Sequence, residues 1–118
     1  MKILLDSSII IDAIRLRQIL PALHDYSISD ITITELYSGK SIWESPKNKR
    51  IVDSILTHLN HLHTSTKISQ LAGQIRSKYK TSVPDAIIAA TAITHKLPLA
   101  TINTKDFISI SHLKLIKI

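Results

Sequence analysis

The sequence has no cysteine, and it has only 2 glycines, 1 tryptophan and 1 phenylalanine among its 118 residues. Without cysteine the chain forms no disulfide and no thiolate metal site, a composition that fits a reducing compartment. No apolar run approaches the length of a membrane span. The apolar run at residues 2–5 ends at Asp6, before it could form the core of a signal peptide. We therefore expect a soluble, cytoplasmic protein that does not bind membranes.

Acidic residues are also scarce, with 9 Asp and Glu against 15 Lys and Arg and a net charge of +6. A basic balance favours polyanionic partners such as nucleic acid, although a basic surface that only maintains solubility explains the charge equally well. The positions of the few acids are therefore more informative than the total charge. A chain of 118 residues with 44% hydrophobic content predicts one folded domain that spans residues 1–118.

Apolar runs typical of strands alternate with helical patterns along the chain. Ser7 or Ser8 is expected to cap the first helix, and Thr32 with Glu35 matches a capping box that would open another. The expected strands are residues 2–5, 26–33 (centred on 30–33), 60–64, 99–102 and 113–118. The expected helices are residues 7–17, a short turn at 19–24, 33–39, 46–59, 66–80 and 83–93. This order predicts an α/β fold, a three-layer sandwich in which helices flank a mostly parallel sheet of four to five strands.

Polar side chains recur where the expected strands and helices meet. Asp6 follows the first strand, Glu35 opens the helix after the second, Asp85 opens an alanine-rich helix, and Asn103 and Asp106 follow the fourth strand. If strands one, two and four are neighbours, these groups meet at the carboxyl edge of the sheet. Several carboxylates in one crevice repel one another unless a cation is present, and ligands that are all oxygen suit Mg²⁺ or Mn²⁺. On a basic protein, this predicts hydrolysis of phosphodiesters.

Each of these acids also has a structural explanation. Asp6 could cap the first helix, Glu35 could complete the capping box, and Asp85 could favour the positive end of a helix dipole. Asp106 could hold a local turn through its own side chain. Taken singly, these explanations suffice. Taken together they are weaker, because all four acids fall at strand–helix corners on what should be one edge of the sheet.

Four segments of the chain carry a resemblance to a known family. They are Ile-Leu-Leu-Asp-Ser-Ser at residues 3–8, Ile-Thr-Glu-Leu-Tyr-Ser-Gly at 33–39, Asp-Ala-Ile-Ile-Ala-Ala-Thr-Ala at 85–92 and Ala-Thr-Ile-Asn-Thr-Lys-Asp-Phe at 100–107. In this order they cover the chain from end to end. The sequence resembles PIN-domain nucleases, and specifically the small VapC-type toxins of VapBC toxin–antitoxin pairs.

The resemblance implies a PIN-like fold with an acidic Mg²⁺ or Mn²⁺ site and endoribonuclease activity. By the match of motifs, Asp6, Glu35 and Asp85 are the core metal-binding and catalytic acids, and Ser8 is a supporting or direct contact. The fourth position is open. Asn103 offers a neutral carbonyl oxygen, and Asp106 offers a carboxylate three residues later. The implied partners are an RNA substrate, a cognate antitoxin protein and a second copy of the chain in a homodimer.

Two other functions compete with this interpretation. A signalling receiver domain also binds Mg²⁺ with acids at strand ends, but it needs a phosphoacceptor acid after its third strand, and residues 61–64 contain none. A PIN-like module that has lost catalysis and only binds RNA or protein is the second alternative, and Asn103 leaves room for it. Intact Asp6, Glu35 and Asp85 argue against that alternative.

Histidines and basic residues are the remaining candidates. The spacing of His58, His61 and His63 matches no zinc pattern, so we expect surface histidines. Basic residues cluster at Arg15 and Arg17, at 47–50 and at 76–80. Solvated helix faces explain these clusters, but any that border the acidic crevice would hold RNA phosphates. The sequence does not choose among them. With few aromatic residues, base stacking should contribute little.

Overall fold

Five parallel strands form one sheet in the order β3-β2-β1-β4-β5 in a computed structural model that describes all 118 residues. The strands are β1 (Lys2–Leu5), β2 (Asp25–Ser29), β3 (Asn60–Leu62), β4 (Leu99–Ala100) and β5 (Leu115–Ile116). The helices are α1 (Ser7–Leu16), α2 (Asp30–Leu36), α3 (Lys40–Glu44), α4 (Pro46–Leu56), α5 (Thr66–Lys78) and α6 (Val83–His95), with a short 3₁₀ helix at Thr104–Asp106. The predicted α/β fold is confirmed.

The central strand β1 is buried on both faces, and this burial produces the three layers. Successive side chains of a strand point to opposite faces of its sheet. Leu4 packs on one side with the alanine-rich helix α6 and with α5. Ile3 and Leu5 pack on the other side with α1, α2 and α4. All three side chains are fully buried, as expected for a parallel sheet covered by helices on both faces.

The order of the strands places β1 between β2 and β4. Leu4 is paired with Ser27 on one side and with Leu99 on the other. The neighbouring carboxyl ends of these three strands therefore meet at one edge, as the sequence predicted if strands one, two and four were adjacent. Asp6, the start of α2 and the segment after β4 all follow at that edge.

The boundary between β2 and α2 differs from the prediction. The strand ends at Ser29, and α2 begins at Asp30, so residues 30–33 are helical. The cap is Ser29, whose hydroxyl accepts a hydrogen bond from the Thr32 backbone N–H at 3.4 Å. Thr32 is therefore the third residue of the helix and not its cap. The predicted capping box was wrong, because burial of Thr32 and the Ser29 cap outweigh the local strand preference of Ile31, Thr32 and Ile33.

Other helix boundaries also differ from the prediction. Residues 19–24 form no helix, and the Pro21 carbonyl there accepts a hydrogen bond from the Tyr26 hydroxyl at 2.7 Å. The short helix α3 was not predicted. Asp6 takes the capping position of α1 without a side-chain capping bond, so neither Ser7 nor Ser8 is the cap. None of the helices is long and apolar enough to span a membrane.

Candidate active site

Asp6 lies at the corner between β1 and α1, and its side chain is held in place by two hydroxyl groups. Its residue is only 4% exposed. The Ser8 Oγ donates a hydrogen bond to Asp6 Oδ2 at 2.7 Å, and Thr101 Oγ1 donates a second one to the same oxygen at 2.8 Å. Because both bonds converge on Oδ2, the carboxylate is oriented while Oδ1 makes no hydrogen bond within the protein.

The hydroxyl groups also bind the segment that follows β4 to the start of α1. Ser8 Oγ accepts a hydrogen bond from the Ile102 backbone N–H, and Thr101 Oγ1 accepts one from the Asn103 backbone N–H, each at 3.1 Å. The two hydroxyl oxygens are 3.3 Å apart. The chain after β4 is therefore fixed against the residues that hold Asp6.

Glu35 reaches the same edge from the last turn of α2, and its side chain is half-buried. The Ser7 Oγ donates a hydrogen bond to Glu35 Oε1 at 3.3 Å. Burial, followed by the negative charge of Asp6 and a further contribution from Asp85, raises the pKa of Glu35. The Ser7 bond lowers this pKa but does not reverse the shift. Glu35 is therefore electrostatically coupled to two other acids of the predicted site.

Asp85 approaches from the first turn of α6, where the Ser82 hydroxyl accepts a hydrogen bond from the Asp85 backbone N–H at 3.2 Å. Pro84 beside it suits the first turn of a helix, and the expected start of α6 is confirmed. Burial is the largest cause of a raised pKa at Asp85, and the charges of Asp6 and Asp106 raise it further. A hydrogen bond from Ser82 acts in the opposite direction.

These couplings show which predicted acids lie near one another. The charge of Asp6 raises the pKa of both Glu35 and Asp85, and the charge of Asp106 raises the pKa of Asp85. No three His, Asp or Glu side chains are grouped closely enough to hold a metal ion together. The carboxylates are thus neighbours but not a closed ligand set. To share one cation, these carboxylates would have to move closer to one another.

Asn103 and Asp106 are both exposed, but they relate to the acids in different ways. Asp106 ends the 3₁₀ helix after β4, and its charge reaches Asp85. Asn103 precedes that helix, and its recorded contact to the network is the backbone N–H bonded to Thr101. The charge of Asp106 therefore reaches the acidic group, whereas Asn103 carries no charge.

The end of α2 that carries Glu35 is anchored to α4. The Tyr37 hydroxyl donates a hydrogen bond to Asp53, which also receives one from Lys49 Nζ at 2.9 Å. Burial and the Asp53 carboxylate raise the pKa of Tyr37 to about 12. The Trp43 ring is exposed, while its Nε1 donates to the Tyr37 carbonyl oxygen at 2.8 Å. These contacts limit the movement of α2 relative to the helices after it.

Three hydroxyl residues support the acids: Ser7, Ser82 and Thr101. The sequence predicted Ser7 only as a possible cap of α1 and Ser82 only as the start of α6, and it predicted no role for Thr101. Ser7 contacts Glu35, Ser82 caps the helix of Asp85, and Thr101 holds Asp6. Each one lies next to a strand end or a helix start, beside the acids that were identified. Their positions in the sequence could have identified Ser7 and Thr101 as site residues, because a buried apolar run comes shortly before each of them.

The histidines do not join the acidic group. His58, His61 and His63 are exposed, as predicted. His63 Nδ1 lies 3.0 Å from Asp30 Oδ1, and His61 Nε2 lies 3.2 Å from the Leu56 carbonyl oxygen. These contacts join His63 to the start of α2 and His61 to the end of α4.

The sequence and the fold were compared with those of known proteins. The family model of the PIN domain matches residues 3–113. The chain belongs to the PIN domain family. The match includes every acid of the site, from Asp6 to Asp106. No curated protein matches the sequence of this PIN domain.

Solved structures with the same fold include several toxin–antitoxin proteins. A chain of the toxin–antitoxin complex from Klebsiella pneumoniae is 32% identical, with a TM-score of 0.72 and 98% of each chain covered. A chain of FitAcB from Neisseria gonorrhoeae is 27% identical, with a TM-score of 0.78, and the match covers 97% of this PIN domain and 96% of that chain. A chain of VapBC2 from Rickettsia felis, solved with a promoter DNA fragment, has a TM-score of 0.83 at 24% identity over 100% and 99% of the two chains. These matches confirm the resemblance to VapC-type PIN domains.

Proposed function

We propose that this PIN domain is a metal-dependent endoribonuclease that acts as the toxin of a toxin–antitoxin pair. The observation that carries the proposal is the coupling of Asp6, Glu35 and Asp85 at the carboxyl edge of a parallel sheet, where burial and mutual charge raise the pKa of two of them. Perturbed carboxylates grouped at this edge are typical of a functional site. A purely structural role would not require three acids to share one region.

The donor set fits Mg²⁺ or Mn²⁺, because every side chain in the group offers oxygen. The acids that would hold the ion are Asp6, Glu35 and Asp85, with Asp106 as the fourth. Asn103 offers only a neutral amide oxygen. Once bound, such an ion polarises the phosphate and lowers the pKa of a coordinated water. The negative charge of the group also explains why a cation is favourable there, since it relieves the repulsion among the carboxylates.

The chain's own residues contribute orientation and charge. Ser8 and Thr101 hold Oδ2 of Asp6, so that Oδ1 can bind a ligand without a change in the position of the carboxylate. Ser7 restrains Glu35 in the same way. As the catalytic residues, the four acids Asp6, Glu35, Asp85 and Asp106 would hold the cation, through which the scissile phosphate and an attacking water would be brought close together. The hydrogen bonds to Asp6 preorganise its carboxylate, so that this acid needs little movement during the reaction.

The substrate and partners follow from charge and from the relatives. A net charge of +6 favours binding of an RNA backbone, and the few aromatic residues favour phosphate contacts over base stacking. The similar solved structures include complexes of toxins with antitoxins. This supports a cognate antitoxin as protein partner, and a homodimer remains part of the proposal by resemblance to VapC-type toxins.

Cleavage of a mixed RNA pool by the purified protein tests the proposal. The reaction is run with Mg²⁺, with Mn²⁺ and with EDTA, for the parent, for Asp6→Asn and for Asp12→Asn as the matched control. Asp12 lies on α1, the helix that begins beside Asp6, but it takes no part in the hydrogen-bond network around Asp6. We expect metal-dependent cleavage by the parent and by Asp12→Asn, and none by Asp6→Asn.

Equal cleavage by the Asp6→Asn protein would rule out this site. Absence of both cleavage and Mg²⁺ or Mn²⁺ binding in the parent would instead favour the alternative function, a PIN module that binds RNA or protein without catalysis. Calorimetric titration of the metal separates these outcomes, because it does not depend on finding the right RNA sequence.

A further inference from the structure

A basic cavity of about 570 Å³ lies where α5 ends and α6 begins. It is lined by the continuous segment 76–82, with the sequence Arg-Ser-Lys-Tyr-Lys-Thr-Ser. The lining contains three cations, Arg76, Lys78 and Lys80, and no acid. We call it the 76–82 cavity. A concave surface with three positive charges and several hydroxyl groups has the composition expected of a phosphate-binding surface.

The three cations of the cavity are not neutralised within the protein. The three ion pairs of the protein are Lys40–Glu44, Lys49–Asp53 and His63–Asp30, and none includes a residue of the cavity. Lys78 Nζ lies 5.6 Å from the centre of the Tyr79 ring. The dipole of α5 stabilises Arg76 and Lys78 in its last turn, but it does not explain Lys80, which lies beyond the helix.

The backbone of the cavity is held at both ends. The Tyr79 hydroxyl donates a hydrogen bond to Ser111 Oγ at 2.9 Å and accepts one from the Ser111 backbone N–H at 3.2 Å. The Thr81 backbone N–H donates to the Tyr79 carbonyl at 3.0 Å. At the other end, Ser82 caps α6. Since the segment is already ordered, binding there would cost less conformational entropy than binding by a free loop.

Ser82 connects the cavity directly to the acidic site. It lines the cavity, and its hydroxyl accepts the hydrogen bond from the Asp85 backbone N–H at 3.2 Å. The distance along the chain from Lys80 to Asp85 is only five residues. A polyanion that extends from Asp85 past Ser82 would therefore reach the positive charges of the 76–82 cavity.

We infer that the 76–82 cavity binds the backbone phosphates of the RNA strand next to the bond that is cleaved. The inference rests on the proposed endoribonuclease function and gives its substrate a position on the protein. Lys78 and Lys80 are the residues that contact the phosphates, while Ser82 and the α6 start that it caps set their position relative to Asp85. The inference thus assigns RNA binding to one of the three basic clusters, among which the sequence alone did not choose.

The other two clusters are less suitable. Lys49 is paired with Asp53 at 2.9 Å, so one charge of the 47–50 cluster is already compensated. Arg15 and Arg17 lie at the far end of α1, which begins beside Asp6. A ten-residue helix is ~15 Å long, which separates these two cations from Asp6.

RNA binding measured without cleavage tests the inference. Every protein carries Asp6→Asn, EDTA is present, and the probe is a fluorescent single-stranded RNA of randomised sequence. The test variant adds Lys78→Gln and Lys80→Gln, and the matched control adds Lys47→Gln and Arg50→Gln, which removes the same charge outside the cavity. Two lost phosphate contacts on a single strand should lower the slope of log affinity against log salt by about 1.4, and should weaken binding about tenfold at low salt. Thermal unfolding checks that all variants fold.

The expected result is a loss confined to the cavity variant. The inference is overturned if both double variants lose affinity equally, since the effect would then be one of net charge, or if the cavity variant binds as the parent does. Polyglutamate of the same length serves as a second probe. If it binds the cavity as tightly as RNA and with the same loss in the cavity variant, the surface belongs to acidic protein segments, and the assignment to RNA is wrong.

The proposed function can fail separately. If RNA binding depends on Lys78 and Lys80 but the parent protein never cleaves RNA, the cavity is supported as an RNA-binding surface and the nuclease function is excluded. If metal-dependent cleavage is unchanged by the cavity substitutions, the nuclease function is supported and the role of the cavity in RNA binding is excluded.

Discussion

Thr101 Oγ1 donates a 2.8 Å hydrogen bond to Asp6 Oδ2, and both residues are buried. The bond joins the ends of two adjacent parallel strands, β4 and β1. With the 2.7 Å bond from Ser8 to the same oxygen, it holds Oδ2 of Asp6 and leaves Oδ1 without a hydrogen bond from the protein. Thr101 thus acts as a positioning residue for Asp6 through this hydrogen bond.

Replacing Thr101 with valine should weaken metal binding while the shape of the side chain is kept. Loss of a bond that orients a ligand typically costs 10–100-fold in metal affinity, and we expect a loss of about tenfold for Thr101→Val because Ser8 remains. Calorimetric titration with Mn²⁺ is the measurement. The matched control is Thr91→Val, which removes an equally buried hydroxyl that bonds the Ile87 carbonyl oxygen within α6. Equal metal affinity in the two variants would contradict the positioning role.

Glu35 should make the metal-free protein less stable as the pH rises. Because its pKa is raised in the folded chain, chiefly by burial and then by Asp6, ionising it costs more there than in the unfolded chain. Its contribution to stability is full below the ordinary carboxyl pKa and is lost as the pH rises through the raised folded value. Glu35→Gln should therefore melt at a higher temperature than the parent at neutral pH in EDTA. The difference should vanish at a pH below the ordinary value.

Mg²⁺ provides the control for this pH effect. A ligand that binds only the folded state raises its stability, and Glu35→Gln should gain less from Mg²⁺ than the parent does. If the variant melts below the parent at neutral pH in EDTA, the raised pKa is not the dominant effect of this side chain.

The sequence predicted those parts of the structure that depend on local signals. The start of α6 was predicted because Ser82 and Pro84 are a capping residue and a first-turn residue within three positions. Asp6 was placed correctly because a buried apolar run leads directly into it. The end of β2 was missed, since residues 31–33 are β-branched and favour a strand locally, whereas the buried Thr32 and the Ser29 cap belong to a helix.

The contacts that orient the acids could not be found in this way. Thr101 and Asp6 are separated by 95 positions, and Ser7 and Glu35 by 28. Each pair meets only once β2, β1 and β4 are adjacent, which is a property of the sheet order. The same holds for the choice between Asn103 and Asp106. Their spacing from β4 differs by three residues, and only the fold shows that the charge of Asp106 acts on Asp85.

The alanines of α6 should tolerate little added volume. Ala89 is fully buried and packs in the core layer that contains Leu4 and Leu99. Ala89→Leu adds three carbons to this close contact between helix and sheet, and overpacking of this kind costs about 1–3 kcal/mol. The free energy of unfolding in urea is the measurement. Ala13→Leu on α1, at a partly exposed position, is the control and should change stability by less than about 0.5 kcal/mol. Equal effects at the two positions would mean that α6 is not packed closely on the sheet.

Replacing Asp106 and replacing Asn103 should have different effects on the pKa of Asp85 and on metal affinity. The charge of Asp106 contributes to the raised pKa of Asp85, after burial and Asp6, whereas Asn103 carries no charge. Asp106→Asn should therefore move the pKa of Asp85 back toward its ordinary value and weaken Mn²⁺ binding by about tenfold, since one carboxylate of the group is lost. Asn103→Ala should leave both quantities near those of the parent.

NMR titration of the Asp85 carboxyl in the metal-free protein and calorimetry with Mn²⁺ measure the two effects independently. If Asn103→Ala lowers metal affinity while Asp106→Asn does not, the amide completes the site and the carboxylate of Asp106 only shapes the local field. If both variants weaken binding, the loop after β4 supplies two oxygen ligands, and the ion would draw Asn103 into the group. The expected result, a loss for Asp106→Asn alone, would make the fourth ligand a charged one and would explain why the 3₁₀ helix that ends at Asp106 directly follows the Thr101 network.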